Sequence, residues 1–116
     1  MIKSILVIDD DNTIRKLVTD FLIEAGYDVK AAQDGEEGIE FLKNNPDFSV
    51  VITDICMPKK DGNAVARYVR DSIEKKDIPV IAITGYANEV ESELFTCLLE
   101  KPFKIKELVE MIDSLH

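Results

Sequence analysis

Several things the chain lacks narrow what it can do. No apolar run approaches the roughly eighteen residues of a membrane span, and no basic start leads into a long apolar segment. Neither membrane spanning nor secretion is therefore supported, and the cytoplasm is the expected compartment. Cysteine is scarce: Cys56 and Cys97 lie far apart without CxxC spacing, so zinc and dithiol sites are not indicated and both are expected as reduced, partly buried thiols. Positive charge is in the minority, with 14 Lys and Arg against 23 Asp and Glu and a net charge of −9. No basic cluster is long enough to track a phosphate backbone, so direct nucleic-acid binding is not expected. Neither GxGxxG nor GxxxxGK[ST] occurs, and Asp34-Gly35-Glu36-Glu37-Gly38 is a poor phosphate cradle, which disfavours a nucleotide-binding protein. The single histidine, His116, is terminal and is expected to be a solvated end rather than a catalyst.

What the chain does have is enough length and apolar content for one domain spanning residues 1–116: 46% of its residues are hydrophobic, so it needs no disulfide or structural metal. Ile5-Ile8 is a short β-branched run, and Ile14, Leu17, Val18, Phe21, Leu22 and Ala25 follow at steps of three and four, a strand and then an amphipathic helix stopped at Gly26. Tyr27-Ala32 makes a more polar second strand. A helix over roughly Glu36-Asn44 ends at Asn44-Asn45-Pro46-Asp47, and Phe48-Thr53 forms a third strand. After the Lys59-Lys60-Asp61-Gly62 loop, Val65, Val69 and Ile73 recur at helical spacing until Pro79 introduces the strand Val80-Thr84. The last helix carries Ile105, Leu108, Val109 and Ile112. Alternating strands and helices predict an α/β fold: a doubly wound, five-stranded parallel sheet with helices on both faces. Right-handed crossovers and polar edge strands favour the order 2-1-3-4-5.

Four of the apolar runs stop at or just before a polar residue: Asp9, Asp54, Thr84 and Lys101. At the carboxyl ends of parallel strands these side chains converge, and ligands bind where strand order reverses, between the first and third strands, which is where Asp9, Asp10 and Asp54 fall. Carboxylates confined to one pocket repel each other unless a cation intervenes. A hard divalent ion is implied, and Mg²⁺ suits it, with Mn²⁺ not excluded. Asp54 can attack phosphorus to become an acyl phosphate while Thr84 and Lys101 contact phosphoryl oxygens. Taken singly, a strand-end Thr or Lys is ordinary surface; the joint order carries the weight.

VIDDD at 7–11, VVITDICMP at 50–58, VIAITGYA at 80–87 and LLEKPF at 98–103 resemble, in order and along the whole chain, the receiver domains of two-component response regulators. The resemblance implies that Asp54 is the phosphoacceptor, that Asp9 and Asp10 hold Mg²⁺ with Asp54 and the Cys56 carbonyl, and that Thr84 and Lys101 read the phosphoryl group. It implies a cis Lys101-Pro102 peptide. It also implies a donor phosphohistidine on a histidine kinase or phosphotransfer protein, an output partner or domain, and a possible phosphorylation-dependent homodimer. On this reading the chain is a signalling switch, assisting its own phosphorylation and dephosphorylation, rather than a turnover enzyme.

Two departures from the family stand out. The aromatic residue often found three positions before the lysine is Leu98 here, leaving Tyr86 or Phe95 as substitutes. The stretch from Thr84 to Lys101 is short by about five residues, so a shortened fourth helix of one or two turns, or an irregular loop, is expected between Gly85 and Phe95. Cys56 and Tyr86 border the phosphoryl site, with Cys56 expected to be inert rather than redox-sensing. The chain ends directly after the last helix, leaving no room within it for an output domain, so it is expected either to stand alone or to be part of something longer. Two alternatives stay open: a haloacid-dehalogenase-like phosphatase reading Ile8-Asp9-Asp10-Asp11-Asn12-Thr13 as DxDxT, with Asp9 as nucleophile and Asp11 as general acid, and a receiver-like interaction module that is never phosphorylated.

Overall fold

The computed structural model describes residues 4–45 and 47–115. The helix-ending role of Pro46 and the solvated end at His116 lie outside them. Five parallel strands, β1 (Ser4–Ile8), β2 (Asp28–Ala32), β3 (Val50–Asp54), β4 (Val80–Thr84) and β5 (Cys97–Glu100), form one sheet in the order β2-β1-β3-β4-β5. The sequence-based order and the central places of β1, β3 and β4 hold. Every residue of β3 and β4 is buried, whereas β2 at one edge is mostly exposed, as expected of strands covered on both faces against one at a rim.

Period-two alternation splits the apolar runs between two cores. Ile5, Val7, Val50, Ile52, Ile81 and Ile83 point to one face. There they meet Val18 and Leu22 of α1 (Asn12–Glu24) and Leu108 and Ile112 of α4 (Ile105–Asp113). Leu6, Ile8, Val51 and Val80 point to the other and meet Leu42 of α2 (Gly35–Asn44) and Val65, Ala66 and Val69 of α3 (Gly62–Asp71).

Three helices start on aspartate caps, whose carboxylates accept backbone N–H bonds that no earlier turn can satisfy. Asp11 Oδ1 takes the Thr13 and Ile14 N–H groups at 2.9 and 3.1 Å, Asp34 takes Glu37 at 2.8 Å, and Asp61 takes Ala64 at 2.9 Å. Gly26, at φ 101°, turns the chain out of α1 in a conformation a side chain would strain. The third helix is shorter than its apolar spacing suggested. It ends at Asp71, Ser72 is extended, and Ile73 is 90% exposed instead of continuing the Val65–Val69 stripe. The chain is turned there by Arg70, whose guanidinium donates to the carbonyls of Lys76 (2.9 Å) and Ile78 (2.7 Å).

Between β4 and β5 no α-helix forms. The connection holds two single 3₁₀ turns, Ala87–Glu89 and Ser92–Leu94, in line with the shortened fourth helix. Leu94 is its one buried apolar residue. Among the described residues no helix is long and apolar enough to cross a membrane.

Candidate functional site

β1 and β3 pair directly, Ile8 opposite Thr53. The residues that follow are thereby brought together where the sheet reverses direction, β1 leading outward to β2 and β3 to β4. Asp9, Asp10 and Asp54 each offer a carboxylate oxygen within 4.8 Å of the others. Asp9 and Asp54 are buried and Asp10 is exposed.

Backbone and side-chain bonds hold the two buried carboxylates. The Asp11 N–H donates to Asp9 Oδ1 at 2.9 Å, and the Arg15 guanidinium, one turn into α1, donates to the Asp9 carbonyl at 2.8 Å. The Ile55 N–H donates to Asp54 Oδ1 at 2.8 Å, while the Thr53 hydroxyl donates to the Asp54 carbonyl at 2.8 Å. Lys101, just beyond β5, places its ammonium 3.3 Å from Asp54 Oδ2 and 3.7 Å from Asp9 Oδ2. Its backbone N–H bonds the Thr84 carbonyl at 2.8 Å, and the peptide that follows it, Lys101-Pro102, is cis as expected.

The electrostatics follow from this crowding. Burial, with the Asp54 and Asp10 charges, outweighs the Asp11 N–H and the Lys101 ammonium, and lifts the Asp9 pKa from 3.8 to about 6. At Lys101 burial disfavours the ammonium, but the Asp9 and Asp54 carboxylates win and its pKa stands above the ordinary 10.5. The site is thus short of positive charge even with a lysine in it. Three carboxylates around one point, one of them open to solvent, suit a hard cation that takes a few protein oxygens and keeps waters.

Thr84 is fully buried at the end of β4, one residue beyond Ile83, which pairs with Asp54. Its hydroxyl accepts the Tyr86 N–H at 2.9 Å, and a hydroxyl that accepts still has its own proton to donate. Asp11, the general acid of the phosphatase alternative, is instead committed to capping α1. Cys56 is exposed, not partly buried as expected, because it lies past the end of β3 on the loop leading to α3. What desolvation it has, followed by the Glu89, Asp54, Asp61 and Asp10 carboxylates, pushes its thiol pKa up, away from a reactive thiolate. Cys97 is half-buried. Tyr86 is 62% exposed, Leu98 is partly exposed, and Phe95 packs on the α2–α3 core.

Sequence reasoning passed over Arg15, which braces Asp9, and Asn63, which bonds the Glu89 carbonyl and the Glu91 N–H in the β4–β5 connection. Arg15 and Asn63 sit among helix-forming residues where nothing in the local pattern marks them.

The family model of the response regulator receiver domain matches residues 5–113. The chain belongs to this family, the CheY-like receiver domains of two-component response regulators, which supports a role in signalling. It is 34% identical over 118 residues to the response regulator receiver protein CpdR of Brucella abortus, covering 97% of this chain and 96% of that one. It is 35% identical to response regulator RR06 of Streptococcus pneumoniae, covering 97% of this chain and 52% of that protein, so it spans about half the length of that relative. Among solved structures it resembles the response regulator TrrA of Thermotoga maritima in complex with Mg²⁺-BeF, with TM-score 0.88, 34% identity and coverage of 99% and 100% of the two chains. It also resembles the chemotaxis protein CheY4 of Vibrio cholerae, with TM-score 0.88, 28% identity and full coverage of both.

Proposed function

We propose that this chain is a single receiver domain over residues 1–116 that accepts a phosphoryl group on Asp54 and converts it into a changed surface around β4 and β5. The observation that carries this reading is the convergence of the Asp9, Asp10 and Asp54 carboxylates within 4.8 Å, with the Lys101 ammonium 3.3 Å from Asp54.

Asp54 Oδ1 is held by the Ile55 N–H, so Oδ2, on the Lys101 side, is the nucleophile. It forms a bond to phosphorus as the bond from phosphorus to the donor breaks; with a phosphohistidine donor the imidazole nitrogen leaves with the electron pair and takes up a proton. Asp9, Asp10, Asp54 and the Cys56 carbonyl would hold Mg²⁺. When bound, the ion neutralises charge on the transferring group and offsets the repulsion among the carboxylates. Lys101 moves from Asp54 to a phosphoryl oxygen, and Thr84 donates its hydroxyl proton to another. The product carries roughly −1.5 to −2 charge beside these two groups, which draws the start of the β4–β5 connection inward. Hydrolysis returns the carboxylate, so the chain promotes both directions of its own switch. TrrA's Mg²⁺-BeF complex in a 34% identical neighbour supports the same ion here.

The donor is a histidine kinase or phosphotransfer protein, the compartment is the cytoplasm, and the modified surface addresses an output partner or a second copy of the chain. Intact mass after incubation with an acyl-phosphate donor tests the reading. The wild type is expected to gain one phosphoryl group with Mg²⁺ and none with a chelator, and Lys101→Met to gain it more slowly or hold it in altered yield. A chain that never takes the group, with or without Mg²⁺, would favour the unphosphorylated interaction module.

A further inference from the structure

Between β4 and β5, where two 3₁₀ turns stand in place of an α-helix, α3 grips the connecting chain. Asn63, buried at the second position of α3, donates its side-chain amide to the Glu89 carbonyl at 2.8 Å and accepts the Glu91 N–H on its amide oxygen at 3.0 Å. One side chain thus holds both sides of Val90, between the two 3₁₀ turns. Arg67 pairs with the Glu91 carboxylate a turn further along, and Arg70 donates to the Leu94 carbonyl at 3.0 Å. The other end of this segment is tied to the site itself, through the Tyr86 N–H on the Thr84 hydroxyl. Any inward movement of Thr84 therefore carries Tyr86 with it and pulls a strand of chain that is pinned five residues on.

We propose that Asn63 is a positioning residue that opposes the switch: its two hydrogen bonds hold the β4–β5 connection outward, and the connection yields only when a phosphoryl group on Asp54 draws Thr84 in. This rests on the reading of Asp54 as the phosphoacceptor. The clamp lies in a place where a full helix would fix the segment by packing, and where Leu94 is now the one buried apolar residue of the two turns. Two side-chain hydrogen bonds to backbone, formed in one state and lost in the other, are enough to set the bias between the two positions. α3 itself does not give way, because Val65, Ala66 and Val69 anchor it in the core and Gly62 packs directly against the Asp54 carbonyl.

The test compares wild type, Asn63→Ala, Asn63→Asp and a core control, Leu42→Val, for the rate of phosphorylation of Asp54 by a small acyl phosphate with Mg²⁺, alongside melting temperature and amide exchange at Glu91. Asn63→Ala is expected to free the Glu91 amide in the unmodified protein and to be phosphorylated about five- to 150-fold faster, the effect of removing two such bonds from the resting state. Asn63→Asp keeps the acceptor for the Glu91 N–H but turns a carboxylate toward the Glu89 carbonyl, and should fall between; it also carries the test if the alanine variant does not fold. Leu42→Val should melt lower without a faster rate, which separates the clamp from general destabilisation. Folded Asn63 variants labelled at the wild-type rate or slower would overturn the proposal while leaving Asp54 as acceptor. Wild type that is never labelled on Asp54 would overturn the acceptor reading and the clamp with it.

Discussion

Asp9 is the side chain where burial and charge conflict most directly. Its carboxyl is buried beside two others, and its pKa in the fold is about 6 against an ordinary 3.8. A raised value means the fold binds this proton more tightly than the unfolded chain does. The contribution is therefore fully present below about pH 4 and is lost as pH rises through 6, where the ionised form costs up to roughly 3 kcal/mol. In metal-free protein, Asp9→Asn should melt higher than wild type at pH 7.5, and the two should converge near pH 4 in thermal scans. Added Mg²⁺ should raise the wild-type melting temperature at pH 7.5 and do little for the variant. A wild type that outlasts Asp9→Asn in chelator at pH 7.5 would contradict the account of this carboxyl. Gly62 is the complementary case of a residue defined by what it lacks. A Cβ there would sit 2.2 Å from the Asp54 carbonyl, which backbone cannot yield cheaply, so Gly62→Ala should cost about 1–3 kcal/mol in chemical denaturation and slow phosphorylation by displacing Asp54.

The connection between β4 and β5 is the element most altered from a regular α/β crossover. Two isolated 3₁₀ turns carry few internal backbone bonds, so their amides depend on Asn63 and on single turn bonds such as Glu89 to Tyr86 and Leu94 to Glu91. Amides of residues 88–95 should exchange with deuterium well before those of β4 and α3, Glu91 being the slowest of them; full protection across the stretch would contradict this description. Its shortness was legible because the count of residues from Thr84 to Lys101 leaves no space for three helical turns. The clamp was not, because hydrogen bonds between residues more than twenty positions apart leave no local periodicity. The same limit explains Ile73. Its spacing from Val65 and Val69 fits a helix face, but the Arg70 bonds to Lys76 and Ile78 end α3 before that face continues. The end of α1 was easier, since Gly26 marks it in the sequence itself and takes the positive φ that a side chain would strain.

As a molecule, the chain is a sheet whose two faces are both apolar and whose carboxyl edge is acidic. That division was readable in advance: uninterrupted apolar runs require cover on both sides, and a polar residue ending each run must emerge at one rim. Strand order predicts that Asp9, Asp54, Thr84 and Lys101 meet at one edge; in the structure the Asp9, Asp10 and Asp54 carboxylates lie within 4.8 Å of one another and the Lys101 ammonium is 3.3 Å from Asp54. The bracing by Arg15 and the exposure of Cys56 needed coordinates, because they depend on how loops leave the sheet. The claim on which the rest depends is that this edge delivers a phosphoryl group to one carboxylate. Peptide mapping by mass spectrometry after treatment with an acyl phosphate and Mg²⁺ examines it most directly. One phosphoryl group on the peptide containing Asp54, absent from Asp54→Asn, is the result expected; a group found on Asp9 would contradict the account.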